Sequence, residues 1–361
     1  METRAVSTCH LQFRITLALL LLILGTIVSC KKSPTDPAGV VSISPLPDVP
    51  GIQVTNTNDA GLITWLPDGT EIAYNSLARY GPAILGGIKV VNIDSKTARI
   101  LDDNMQGIWS MDGEGDSLFY NGNGKAGSGF FVVCTSASNA IPAFISGGEN
   151  GVISPDRAFA ACVNLPGDSV QILDLHHLSL QALPIQRSEI PLKFSPDSRQ
   201  LLLWGGRLIT ISDGTTSMVP FPVTEIRSLA WNDDGIWALT ISSTLTSYSP
   251  MTLDVYTLSN LLTGQTKEIW RSTASDMWGS EIAISRDGKR VAFMRCTPMT
   301  IVPTVHSLYI CDIASGYVSK LLSVPVRIGM GAIPGLDSFA FSPDGKRIAY
   351  AVEGNIYYCN L

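Results

Sequence analysis

Charge is what this sequence has least of. Of its 361 residues only 16% are Asp, Glu, Lys or Arg, against about 25% in an ordinary soluble domain, so Ser, Thr, Asn and Gly must cover much of the surface. Cationic clusters are also missing: no Lys/Arg run is longer than Lys31-Lys32, and the isoelectric point is near 5.2. That excludes the basic footprint of a nucleic-acid-binding surface. The Leu- and Ile-rich stretch at residues 15–29 falls short of the ~20 residues a membrane-crossing helix needs. No Gly-x-Ser-x-Gly nucleophile elbow occurs, and the Gly-rich run NGNGKAGSG at residues 121–129 lacks the Lys-Ser/Thr ending of a phosphate loop. It reads instead as a flexible connection between strands. Apolar residues are not scarce: at 45%, with seven tryptophans, they exclude intrinsic disorder. The 32 Gly and 21 Pro point to many turns and therefore many short strands.

The N-terminus reads as an address. Arg4 and Arg14 precede the apolar stretch, which ends in a small residue, as in a cleaved signal peptide. Ile27-Val28-Ser29-Cys30 closely resembles a bacterial lipobox. The resemblance implies that Cys30 is the lipid attachment site and the mature N-terminus, held at the membrane by acyl chains that each add about 0.8 kcal/mol per buried CH2. Lys31 stands where inner-membrane retention in Gram-negative cells usually shows Asp, which by the same resemblance favours, in a Gram-negative host, the outer membrane, facing the periplasm or the cell surface. KKSPTDPAG, residues 31–39, is polar with two prolines and makes a short, stiff tether. The expected division is a signal peptide over 1–29, a lipidated tether over 30–39 and a folded domain over 40–361.

The folded part is a repeat. One pattern recurs seven times, as ITWLPDGTEIAY, IWSMDGEGDSLFY, VISPDRAFAAC, KFSPDSRQLLLW, AWNDDGIWAL, AISRDGKRVAF and AFSPDGKRIAY. Aligned on Asp68, Asp112, Asp156, Asp197, Asp234, Asp287 and Asp344, the position three before is Trp65, Trp109, Ile153, Phe194, Trp231, Ile284 and Phe341, always large and apolar. The motif predicts strand, turn, strand. Proline presets φ for the first corner, Asp bonds its own backbone two residues on, and Gly supplies φ > 0. The apolar triplet that follows, such as Ile72-Ala73-Tyr74 or Ile348-Ala349-Tyr350, opens a buried second strand. Third strands are expected near 88–93, 130–134, 170–175, 208–212, 255–258, 308–313 and 356–360, and polar turns then lead to a fourth.

Four short strands per unit and anchor spacings of 37 to 57 residues are the signature of β-propeller blades. The S-P-D-G-anchored repeats resemble those of TolB-like, WD40-like propeller proteins over essentially the whole chain from about Val40. The expectation is an all-β fold, a single β-propeller of seven four-stranded blades. An N-terminal strand, at 40–44 or 52–55, should complete the last blade and leave no open sheet edge. Six blades, the alternative, would require one anchor to be false; the Asp112 unit is the weakest, with a two-residue insertion after its Gly.

Chemistry is thin. Beyond the signal peptide only His176, His177 and His306 remain, and the first two fall in an expected turn, too few for a metal centre. Asp233-Asp234 lies in a repeat turn and reads as structural. Cys134, Cys311 and Cys359 all end third-strand apolar runs in the slot of Val91, as small buried hydrophobes would. Cys296 is expected opposite about residue 307, some 13 Å along the strand from Cys311, too far for a disulfide. Long insertions fall on one face, at 76–87, 242–253, 271–280, 296–306 and 323–337. They carry Arg79, Tyr80, Tyr248, Met251, Trp278, Met299 and Met330, the candidate partner-binding residues, of a composition suited to protein contact. TolB-like resemblance implies a scaffold or assembly role. The reading is a non-enzymatic, monomeric envelope lipoprotein with protein partners, no cofactor and no metal. The alternative, a propeller enzyme or sensor taking a saccharide or small molecule in its channel, requires ionisable residues on the first strands, which look mostly apolar.

Overall fold

The structure, a computed structural model, describes residues 49–361 except 77–85, 106, 115, 125–126, 137–142, 147–148, 165–168, 178, 186–188, 223–225, 246–251, 272–280, 298–304 and 326–335. The expected signal peptide and tether, Cys30 included, lie outside the described residues. Among the described residues, 28 strands form seven four-stranded antiparallel sheets. The first strand, β1 (Ile52–Gln53), belongs to the last sheet. Blade one is β2 to β5 (Ala60–Trp65, Glu71–Ser76, Gly86–Asn92, Ala98–Met105) and blade two is β6 to β9 (Gly107–Glu114, Ser117–Gly124, Gly127–Cys134, Ala143–Ser146). Blade three is β10 to β13 (Glu149–Ile153, Phe159–Val163, Ser169–Asp174, Ser179–Pro184) and blade four is β14 to β17 (Pro191–Phe194, Gln200–Leu203, Arg207–Thr210, Thr216–Met218). Blade five is β18 to β21 (Ile226–Asn232, Gly235–Leu245, Thr252–Asn260, Thr266–Arg271) and blade six is β22 to β25 (Ile282–Ile284, Arg290–Thr297, Val305–Asp312, Val318–Pro325). Blade seven has β26 to β28 (Leu336–Phe341, Arg347–Val352, Asn355–Asn360). The seven-bladed propeller is as expected, and the third strands fall where the repeat put them.

The anchor motif works as a polar clamp. Ser342 Oγ donates to Asp344 Oδ1 at 2.6 Å and accepts the N–H of Arg347 at 2.9 Å, while Asp344 Oδ1 takes the N–H of Lys346 at 3.1 Å. Ser154, Ser195 and Ser285 repeat the pattern with Asp156, Asp197 and Asp287. The side chains thus occupy backbone groups that a sharp corner would otherwise leave unpaired. Those bonds hold the carboxyls of Asp197 and Asp344 below the usual range, the serine hydroxyl contributing most.

The core lies between blades. Because a strand alternates its side chains, each second strand feeds two cores. Ile72 and Tyr74 of β3 pack with Ala349 and Ala351 of blade seven, whereas Ala73 packs with Leu118 and Tyr120 of blade two. Likewise Ile348 and Tyr350 meet Ala292 of blade six, and Leu201 and Leu203 meet Ala161 of blade three. The large–small–large triplet therefore sets a bulky face against the small face of the preceding blade. Blade two inverts the scheme: Phe119 and Phe130 are large, and Ala160 opposite is small. Phe130 also covers Gly151, where any Cβ would fall 2.3 Å from its ring.

The ring closes as expected, through a short seam. Ile52 and Gln53 of β1 pair with Tyr358 and Tyr357 of β28. Val54 N–H donates to Ile356 O at 2.8 Å, Ile356 N–H donates to Thr55 Oγ1 at 2.9 Å, and the Tyr350 hydroxyl donates to Pro50 O. Gly51 is required here, with φ +99° and the space of its Cβ taken by Tyr358 O at 2.5 Å. On the other side of the joint, Arg347 of blade seven donates to Gly69 O of blade one at 2.8 Å and lies over the Trp65 ring at 4.9 Å.

Two expectations are corrected. The run at residues 121–129 is not a loop: Asn121 pairs with Phe130 and Gly124 with Gly127, a hairpin whose close turn is allowed by φ +107° at Gly127. Cys134 does not occupy the Val91 slot. Val91 pairs with Ile72, and its counterparts are Cys311 opposite Val291, Cys359 opposite Ile348, and Val133 opposite Leu118. Cys134 is one residue on, opposite Ser117 and half-buried. Cys296 pairs with His306, near the expected position, and Cys311 is five rungs away. Cys311 and Cys359 are free thiols, and burial pushes Cys359 up to about 11.

Two outcomes follow from the packing and the clamp. Ala349→Leu forces bulk against Ile72 and Tyr74 and should lower unfolding stability by about 1–3 kcal/mol in a urea titration. Ser342→Ala leaves the half-buried Arg347 N–H without its acceptor and should lower it by about 1 kcal/mol. Because the folded pKa of Asp344 is depressed, its contribution is complete above the ordinary value of about 3.9 and is lost as pH falls through the folded value. The Ser342→Ala penalty should therefore shrink on acidification from pH 6 to pH 2.

Candidate functional site

The seven first strands converge on a lumen. Pairing with the second strands aligns Thr64, Asp112, Val152, Lys193, Ala230, Ala283 and Ala340 at one level: their partners are Ala73, Phe119, Ala161, Leu202, Trp237, Ala292 and Ala349. All seven line one cavity of about 420 Å3. One residue further along each strand, Trp65, Gly113, Ile153, Phe194, Trp231, Ile284 and Phe341 line it as well. At the corner end stand Pro67, Pro155, Pro196 and Pro343, and blade six places Arg286 where those blades have proline.

This geometry corrects the alignment of blade two. Asp112 is not a turn residue. It sits within β6 opposite Phe119, and the hairpin turns later, between Glu114 and Ser117. The residue equivalent to Trp65 and Phe341 is therefore Gly113, not Trp109, which lies at the irregularity between Ile108 and Ser110. A bulky residue has no room at 113, because a Cβ there would come within 2.9 Å of Trp65 O and 3.2 Å of Pro67 Cδ. The true corner aspartate is Asp116, which pairs with Arg157 of blade three. The blade count survives because the blade is real; only its anchor was displaced by four residues. The signal that could have shown this is the second Gly-Asp, Gly115-Asp116, directly before the apolar run Leu118-Phe119-Tyr120.

The displacement puts a carboxylate in the lumen. Asp112 is open to lumen water yet walled in by the blades. That enclosure raises its carboxyl above the usual range, and the charges of Lys193 and Arg286, with the N–H of Gly113, offset the rise only in part. The first strands are mostly apolar, as expected, with Asp112 and Lys193 as ionisable exceptions. Asp112, Lys193 and Arg286, from blades two, four and six, face one space.

The remaining expectations fall differently. Arg79, Tyr80, Tyr248, Met251, Trp278, Met299 and Met330 all lie outside the described residues. The strands flanking the expected insertion at 242–253 run further than expected, β19 and β20 pairing out to Leu245 and Thr252. His176 and His177 occupy the turn after β12, with Asp174 Oδ1 accepting both their N–H groups at 2.9 Å and Oδ2 lying 2.8 Å from His177 Nδ1. Those bonds, the N–H of His177 first, lower Asp174 to about 2. Asp233 and Asp234 form a tight turn between Asn232 and Gly235, as read. Among the described residues no group of three His, Cys, Asp or Glu is placed to hold a metal, and no helix is long and apolar enough to cross a membrane.

No family model matches this chain, and no curated protein matches it in sequence. Solved structures do match in shape. The β-propeller domain of Cps50 (Swd1) from Myceliophteria thermophila aligns with a TM-score of 0.56 at 12% identity, over 86% of this chain and 100% of that one. A chain of the Mitotic Checkpoint Complex aligns at 0.50 and 15% identity, over 92% and 99%. The C-terminal WD40 domain of Sif2 aligns at 0.50 and 10%, over 88% and 98%. At such identities the likeness is one of fold, and it shows a WD40-like β-propeller.

The position of Asp112 sets a pH-dependent outcome. A folded pKa raised above the unfolded one makes the ionised group unfavourable at neutral pH, whereas below the unfolded pKa both states are protonated and the effect vanishes. Asp112→Asn should raise the thermal midpoint at pH 7, and the gain should fade by pH 3 in parallel melts of the two proteins.

Proposed function

We propose that the protein is a non-enzymatic envelope lipoprotein whose propeller serves as an interaction scaffold. The observation that carries this reading is where the connections leave the ring. The three longest, between β3 and β4, β21 and β22, and β25 and β26, depart from the end opposite the S-P-D-G corners, together with those between β19 and β20 and between β23 and β24. They belong to blades one, five, six and seven, which are contiguous around the closed ring. Their sequences carry Arg79, Tyr80, Tyr248, Met251, Trp278, Met299 and Met330, aromatic, Met and Arg content that suits a protein surface. A rigid ring presenting connections at one end is a natural platform for binding, and one propeller of similar fold comes from the Mitotic Checkpoint Complex. The lipobox-like Ile27-Val28-Ser29-Cys30 supports a lipid anchor at Cys30, with the signal peptide before it and a tether to residue 39. Lys31 favours the outer membrane. The partners are envelope proteins, and the propeller itself is a monomer.

Two arms test this reading. Palmitate labelling should mark the wild-type chain and send it to the membrane fraction, and Cys30→Ser should abolish both. In co-purification from detergent-solubilised envelopes, Trp278→Ala/Met299→Ala/Met330→Ala should recover at least about tenfold less partner, equivalent to about 1.4 kcal/mol, with an unchanged melting midpoint. Equal recovery would remove the case for this face.

A further inference from the structure

We infer that the lumen of the ring is a binding site for a small organic anion, a carboxylate or phosphate carried on an apolar body. The inference concerns the channel and is separate from the loop face. Three observations converge on it.

The first is space. At the level of Thr64, Val152, Ala230, Ala283 and Ala340, five of seven blades contribute a small or medium side chain, which leaves the cavity of about 420 Å3 open. That volume falls within the roughly 300–1,000 Å3 of small-molecule sites.

The second is charge that the fold does not require. At the level of Lys193 the other blades use Ala, Val, Thr or Asp, and at the corner position of Arg286 four blades use proline. Neither a lysine nor an arginine is needed to make a first strand or a corner. Yet in a chain with only 16% charged residues, two cations and one carboxylate come from three separate blades into one lumen. The excess is positive. Low-dielectric walls strengthen such a field relative to open water, and a guanidinium is matched in shape to carboxylate and phosphate oxygens.

The third is the wall. Trp231 and Phe341, both half-buried, line the same cavity and offer apolar area that a bare inorganic ion would leave unused, so the ligand is organic. Asp112 competes with the ligand for the two cations. Its enclosed carboxyl is raised, and the charges of Lys193 and Arg286 offset the rise only in part.

The test uses the full chain and a series matched in body and differing in charge: cyclohexanecarboxylate, cyclohexyl phosphate, cyclohexanol and cyclohexylamine. Trp231 reports binding by fluorescence, and calorimetry gives the affinity. At least one of the two anions should bind at least about tenfold more tightly than cyclohexanol and cyclohexylamine, and the carboxylate and phosphate arms say which head group is preferred. Lys193→Met and Arg286→Gln should each weaken that binding at least fivefold, and Asp112→Asn should strengthen it severalfold. Arg286 is an exposed corner residue, so Arg286→Gln remains informative if Lys193→Met fails to fold. Equal binding of cyclohexanol and the anions, affinities unmoved in Arg286→Gln with a wild-type melting midpoint, or no anion binding at millimolar concentration would each overturn the inference.

Discussion

A blade of this protein has two apolar faces and no way to keep either dry by itself. Ile72 and Tyr74 point one way from β3 and Ala73 the other, and both sets are fully buried. The same holds for Ile348 and Tyr350 against Ala349, and for Val291 and Phe293 against Ala292. Each blade therefore needs a neighbour on either side, and a linear stack would always end on two wet faces. Only a closed ring removes the last exposed face. The seven cores, one at each blade junction, are the physical expression of that rule.

Closure then rests on the seam. The ladder between β1 and β28 is only two residue pairs long, so backbone pairing alone is a weak joint. What holds blade seven to blade one is the core formed by Trp65, Ile72, Tyr74, Ala349, Ala351 and Ile356, with Arg347 reaching across to Gly69 and stacking on Trp65. The same cross-blade reach recurs where Arg290 donates to Gly345 O and Asn232 to Asp287 O. Corner carbonyls are thus capped by the preceding blade, and local turn chemistry and ring assembly reinforce each other.

The lumen has a different logic. Its ionisable lining residues are exposed or half-buried, so packing does not dictate them, whereas Ile63, Trp65 and Phe194 border it from within the cores between blades. This is the place where a scaffold can acquire charge without losing stability to a disrupted core. Asp112, Lys193 and Arg286 use that freedom, whereas Gly113 shows its limit: directly beside Asp112 the approach of Trp65 and Pro67 leaves no room for a side chain.

Much of the fold was legible in the sequence because its causes are local. Serine, proline, aspartate and glycine build the corner within a few residues, and the alternation of Ile-Ala-Tyr marks a strand buried on both sides. Seven such units, with a short N-terminal strand to complete the last, could be read without coordinates. The lumen could not be. Whether Asp112 turns a corner or faces the channel depends on which residues its hairpin pairs, and an aspartate before a glycine satisfies either register locally. The register was decided by contacts far along the chain, with Gly113 pressed against blade one and Asp116 bonded to blade three. Sequence alone determined the blades because turn chemistry and side-chain alternation act over neighbouring residues. Only the tertiary structure decided what faces the channel, because bringing Asp112, Lys193 and Arg286 into one space requires the ring to close.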